Sequence, residues 1–129
     1  MRIYLDSTSI IYLIEDVVPY ATAIESRLAK PEIIRVTSDL ARMECRVQPL
    51  RDRKTALLAA FDSFFNGGLV EVVPLTRQVL DQATELRARY GFKTPDAIHL
   101  AAAIVTRCDV FLTNDKRLCQ CSEITVELA

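Results

Sequence analysis

Short β-branched or apolar runs alternate along this chain with longer stretches whose apolar positions recur every three or four residues. Residues 2 to 5 read as a short buried strand, and the polar Ser7-Thr8-Ser9 cluster after Asp6 is suited to cap an apolar helix beginning near Ile10. The pattern predicts a second helix from about Pro19 to Lys30, with Pro19 in its first turn and Pro31 ending it. Ile33-Ile34-Arg35-Val36 is β-branched and strand-like. Ser38 or Asp39 can cap the helix that follows, which contains Leu40, Met43, Glu44 and Val47. Helical spacing returns at Ala56, Leu57, Ala60, Phe61, Phe64 and Phe65, and Gly67-Gly68 stops it.

Leu69 to Val73 reads as a third strand, and Leu75 to Tyr90 as an amphipathic helix that Gly91 ends. Thr94-Pro95-Asp96 supplies an N-cap, a first-turn proline and a first-turn acid for the almost wholly apolar Ala97 to Val105. Asp109 to Leu112 is a fourth strand, Thr113-Asn114-Asp115 a turn, Lys116 to Cys119 a short helical turn, and Ile124 to Leu128 a fifth strand. Strands alternating with helices imply an α/β fold built on a parallel sheet. No internal repeat, low-complexity tract or linker divides residues 1 to 129, which read as a single domain.

A hydrophobic fraction of 50% against 26% charged residues indicates a core-forming globular chain. Sixteen basic and seventeen acidic residues leave a formal net charge of -1, so no overall cationic field marks a nucleic-acid binder. The amino terminus is too short and too soon interrupted by Asp6 for a signal peptide, and no apolar run approaches the roughly 20 residues that span a bilayer. A cytoplasmic protein is expected. Cys45, Cys108, Cys119 and Cys121 lack a disulfide or zinc spacing and read as reduced, partly buried thiols.

The chemistry lies in four acids. Asp6 follows the first strand, Glu44 sits within a helix, Asp96 opens a helix and Asp115 follows a late strand. A parallel fold brings such positions to the carboxyl ends of its strands, where open α/β sheets place ligands. Crowded carboxylates repel, and a hard divalent cation bound by oxygen alone, Mg²⁺ or Mn²⁺, neutralises them. Each acid also has an ordinary explanation. Asp6 can cap a helix, Glu44 can pair with Arg42 or Arg46, Asp96 can complement a helix dipole, and Asp115 can serve a turn. His99 follows Asp96 by three residues, and its flanks, Ile98 and Leu100, favour a hydrogen-bonded core histidine over a general base. Lys93, Lys116 and Arg117 flank the expected pocket, and Arg42, Arg46, Arg51, Arg53 and Lys54 form a further basic stretch; such charges are usually a solvated face, but for a polyanionic substrate a local cationic rim can guide phosphates.

Ile3-Tyr4-Leu5-Asp6-Ser7-Thr8, the Glu44 helix, Thr94 to Ala101 and Phe111 to Asp115 together resemble the PIN domain, and more narrowly the VapC-type ribonuclease toxins of toxin-antitoxin pairs. The resemblance covers essentially the whole chain. It implies a three-layer α/β/α sandwich with a five-stranded parallel sheet of order 3-2-1-4-5, and metal-dependent cleavage of RNA. Asp6, Glu44, Asp96 and Asp115 match the family's acidic, metal-binding positions. Thr8 and Thr113 match small polar positions beside them that would position substrate, and Asn114 accompanies Asp115. Which acids touch Mg²⁺ or Mn²⁺ directly stays open at this point. The resemblance also implies a cognate antitoxin, whose tail would pack over the first helices, and a homodimer. Ile10-Ile11-Tyr12-Leu13 and Phe61-Phe64-Phe65 offer apolar stripes for such contacts, although stripes of this kind more often belong to the core. Two other classes compete. A non-catalytic PIN-like interaction module would keep the acids without turnover, and a phosphoacceptor domain would want an aspartate after the third strand, where Pro74-Leu75 stands.

Overall fold

Alternate residues of the central strands face opposite sides of one sheet, and each side has its own core. In the computed structural model, which covers residues 1–129, the strand Arg2–Leu5 (β1) sends Tyr4 to one side and Ile3 and Leu5 to the other. The chain continues through α1 (Ser7–Ile14), α2 (Tyr20–Leu28), β2 (Ile34–Ser38), α3 (Asp39–Arg51), α4 (Thr55–Asn66), β3 (Val70–Val73), α5 (Arg77–Tyr90), α6 (Thr94–Val105), β4 (Val110–Thr113), a 3₁₀ turn (Lys116–Gln120) and β5 (Thr125–Leu128). All strand pairs are parallel, in the order β3-β2-β1-β4-β5. The expected sheet order is therefore present. Ile3, Leu5, Val110 and Leu112 pack with residues of α1 to α4, while Tyr4, Val36 and Phe111 pack with α5 and α6, completing the three layers. Tyr4 stacks on Phe111 at 5.2 Å between ring centroids.

Several boundaries differ from those predicted, and each shift has a local cause. Asp6 itself caps α1, accepting the Ser9 N–H, so the Ser7 to Ser9 cluster forms the first turn and the helix starts three residues before Ile10. Helix α2 starts one residue after Pro19 and ends at Leu28, short of Pro31. Helix α3 runs through Pro49 to Arg51 with Ser38 as its cap, and Lys93 occupies the cap position of α6, leaving Thr94 and Pro95 in its first turn. Ile10, Phe61 and Phe65 belong to the core, as stripes of their kind usually do. Strand β2 extends through Ser38, and β4 runs one residue beyond Leu112 to Thr113. All four cysteines are free thiols, Cys119 exposed and the other three buried, and burial pushes the Cys45 thiol up to about 12.

The chain leaves β1 toward β2 and later enters β4 on β1's other side, which makes the carboxyl edge between β1 and β4 the switch point where such sheets open a crevice. Asp6 and Thr113 stand at that edge. Helix α6 packs against β2, β4, α3 and α5 and carries Asp96 at its amino-terminal turn. No helix is long and apolar enough to cross a membrane.

Candidate active site

One pocket of about 400 Å³ lies at this edge, lined by Asp6, Ser7, Thr8, Glu44, Pro95, Asp96, His99, Thr113, Asn114, Asp115, Lys116 and Leu118. All four acids therefore reach one cavity, as do Thr8, Thr113, Asn114 and Lys116. Lys93 and Arg117 instead line an adjoining depression, which shares Asp96 with the main pocket.

Asp6 is 8% exposed, and the α1 cap orients it. Its Oδ1 accepts the Ser9 N–H at 2.9 Å and its Oδ2 accepts the Thr113 hydroxyl at 2.7 Å. A carboxylate has about four lone-pair sites, so each oxygen keeps one for a further partner. The Thr113 oxygen also accepts the Asp115 N–H at 3.2 Å, which ties the end of β4 to both acids.

Glu44 does not pair with Arg42 or Arg46; Arg46 bonds Asp62 instead. Glu44 Oε1 lies 2.6 Å from His99 Nε2. Burial pushes its carboxyl up, but the hydrogen bond and charge of His99, with a hydrogen bond to Ser7, outweigh that and hold it below its ordinary value. At Asp96 the balance is reversed. Burial raises its carboxyl, Arg117 opposes, and the neighbouring charges of Asp115 and Asp6 add to the rise. The one ion pair of Asp96 is with Arg117, at 3.7 Å.

Asp115 caps the 3₁₀ turn through the Arg117 N–H at 3.0 Å, and the Arg117 guanidinium grips both of its oxygens. That grip is the largest cause holding the Asp115 carboxyl below its ordinary value. Arg117, a candidate phosphate contact by sequence, is here a partner of the acids themselves.

The donor set suits a hard divalent cation: four carboxylates, hydroxyl and amide oxygens, no thiolate, and an imidazole whose two nitrogens are engaged within the protein. Burial, with the charges of Asp115 and Asp6, disfavours the ionised Asp96, a cost that such an ion would relieve. As the side chains stand, no three of them are gathered closely enough to hold an ion. Glu44 is turned to His99 and Asp115 to Arg117, so loading calls for side-chain rotation there, whereas Asp6 is already fixed by Ser9 and Thr113 and Asp96 has only its 3.7 Å ion pair with Arg117.

Two lining residues carry more than the sequence suggested. Ser7, read as part of a cap, also lines the pocket and helps hold the Glu44 carboxyl down. His99 is a buried, hydrogen-bonded histidine as expected, yet it also reaches the pocket wall. The three-residue spacing from Asp96 was the signal for its placement on that side of α6.

The PIN domain family model matches residues 3–124. No curated protein sequence matches the chain significantly. Among solved structures, VapBC2 from Rickettsia felis, bound to a promoter DNA fragment, is similar with a TM-score of 0.81 and 16% identity, covering 100% of this chain and 99% of that one. Mycobacterium tuberculosis VapC20, described as a sarcin-ricin loop cleaving toxin, has a TM-score of 0.76 and 16% identity over 92% and 93% of the two chains. VapBC-1 from nontypeable Haemophilus influenzae has a TM-score of 0.76 and 17% identity over 98% and 97%.

Proposed function

This chain belongs to the PIN-domain family, and from that premise we propose that it is a divalent-metal-dependent endoribonuclease, the toxin of a cytoplasmic toxin-antitoxin pair. The observation that carries the reading is the meeting of Asp6, Glu44, Asp96 and Asp115 in one polar pocket at the β1/β4 switch point. The likeness of fold to toxins of this type, one of them described as cleaving the sarcin-ricin loop, supports RNA as the substrate.

Asp6 and Asp96 would be the principal residues holding Mg²⁺ or Mn²⁺, with Glu44 and Asp115 completing the site directly or through water. A bound ion of this kind supplies a water of lowered pKa and neutralises charge at the scissile phosphate. The chain's own groups do the rest. Asp6 is oriented by the Ser9 N–H and the Thr113 hydroxyl. Thr8, Thr113 and Asn114 stand at the wall to orient water and phosphate oxygens, and Lys116 brings a cation into a pocket otherwise dominated by carboxylates. Lys93, one depression away, would meet a flanking phosphate, and Arg117 would do so only on leaving Asp115. Single-stranded or looped RNA fits this reading because unstacked nucleotides can bend into a crevice. Attack by water leaves a 5′-phosphate and a 3′-hydroxyl.

Helix α3 exposes Met43, Val47 and Leu50, spaced along one face, and Arg42 and Arg46 line the same shallow depression. This strip is a surface for the antitoxin or for a second copy of the chain. Asp96→Asn keeps the shape of the side chain and removes its charge. It should keep the fold and lower Mn²⁺-dependent cleavage of an RNA pool by about 10³-fold or more, the scale of losing a transition-state charge contact. Equal cleavage by both proteins would defeat the assignment. Metal binding without cleavage in the wild type would favour the non-catalytic module.

A further inference from the structure

Glu44 is held by a side chain of another helix, through a line of polar groups that runs into the protein interior. His99 Nε2 meets Glu44 Oε1 at 2.6 Å, and His99 Nδ1 lies 2.7 Å from the Tyr4 hydroxyl. The Tyr4 hydroxyl donates to Ser38 Oγ at 2.8 Å, and Ser38 Oγ accepts the Ala41 N–H at 3.3 Å. Tyr4 and Ser38 are wholly buried and His99 is 4% exposed. The connection matters because of where each member sits. Tyr4 stands two residues before Asp6 on β1, Ser38 caps the helix that carries Glu44, and His99 is one helical turn beyond Asp96 on α6. The line therefore keys together the three segments that deliver three of the four acids.

We propose that His99 is a positioning residue for the nuclease reaction, donating from Nε2 to Glu44 so that this acid faces the pocket ionised and accepts from a water rather than swinging onto the cation. The inference rests on the nuclease reading above. Donor arithmetic supports it. An ionised carboxylate only accepts, so Nε2 donates to Glu44, and with the one Tyr4 hydroxyl hydrogen given to Ser38, Nδ1 donates to the Tyr4 oxygen, so both ring nitrogens carry protons. With Nε2 engaged by Glu44 and Nδ1 by Tyr4, neither nitrogen is open to take a proton from substrate, which removes His99 as a general base. The Nε2 contact fixes the Oε1 of Glu44, so this acid's freedom to rotate onto an ion is less than that of Asp96, which accepts no comparable bond.

The test uses the full chain with Mn²⁺ and an RNA pool, comparing His99→Leu, His99→Gln, Glu44→Gln and the double variant Glu44→Gln/His99→Leu. His99→Leu should lower kcat about 10- to 100-fold, the usual cost of losing a group that orients a member of a metal site, with KM changed by less than about threefold. His99→Gln carries an N–H at about the reach of Nε2 and should restore most of that loss. In the double variant the His99 change should add less than about twofold to the loss from Glu44→Gln, because both act on one contact. A readout independent of turnover is the imidazole N–H proton resonance of His99, which should lie downfield in the wild type and move in Glu44→Gln. Wild-type kcat in His99→Leu, or losses that multiply in the double variant, would overturn the proposal, as would a His99 resonance indifferent to Glu44→Gln. Absence of cleavage by the wild type, with a resonance that does respond, would instead sink the nuclease reading while leaving the contact in place.

Discussion

Glu44 and Asp115 line the same pocket and both carboxyls lie below their ordinary values, but they are held by very different means. Glu44 is bonded to an imidazole whose side chain is 5% exposed and which continues into the core through Tyr4 and Ser38. Asp115 is gripped by a guanidinium two residues away whose side chain is 60% exposed. A buried hydrogen-bonded group is set before any ligand arrives, and breaking its contact strands polar atoms away from water. An exposed ion pair contributes little to folding and exchanges partners readily. One wall of the pocket is thus preorganised and the other adaptable, with Asp6 and Asp96 between them.

The sharpest way to break this contrast is to remove one buried and one exposed contact and compare folding. Tyr4→Phe leaves His99 Nδ1 without its partner in the core and should destabilise the protein by about 1–3 kcal/mol in chemical denaturation. Arg117→Gln should leave the denaturation midpoint almost unmoved. Equal losses from the two would erase the distinction between the walls.

A smaller effect concerns pH, and its sign separates Asp96 from both walls. Glu44 and Asp115 have lowered values, so the stability they contribute is present above the ordinary carboxylate range and is lost as pH falls through their folded values. Asp96 has a raised value, so the folded state holds its proton longer than the unfolded chain does. Its contribution declines as pH rises from the ordinary 3.8 through the folded value. In chelator, Asp96→Asn should therefore melt a few degrees above the wild type at pH 7, while the two curves converge below the ordinary range. Matching melting points at both pH values would show that burial and neighbouring charge do not disfavour the ionised Asp96.

The smallest expected effect tests adaptability itself. Freed of its guanidinium, Asp115 should engage a cation more easily, so Arg117→Gln should raise Mn²⁺ affinity about two- to fivefold at low salt, the scale of one exposed ion pair. Titration followed by electron paramagnetic resonance would measure it. Unchanged or weaker affinity would mean that Arg117 does not compete with metal for Asp115.

Much of this was legible in the chain before folding. Strand and helix order followed from period-two and period-3.6 patterning, and the positions of Asp6 after β1, Asp96 at the start of α6 and Asp115 after β4 marked one sheet edge as the place of chemistry. Boundaries slipped where a side chain has two uses. From sequence Asp6 reads as either a ligand or a helix cap, with Ser7 to Ser9 also suited to the cap, whereas in the fold the one carboxylate caps α1 and faces the pocket. Tyr4 looked like one more apolar strand residue because its ring does pack in the core; its hydroxyl has no counterpart in a hydrophobic pattern.

The sequence by itself determined the elements, their order and the residue types that reach the sheet edge, because periodicity and capping are local properties that each segment carries alone. The tertiary structure decided which acid is held and by what. Glu44 and His99 are 55 residues apart, and their 2.6 Å contact exists only because α3 and α6 are brought together at the same edge of the sheet. No local signal encodes which faces of two distant helices will meet, since that is fixed by how all the layers pack at once.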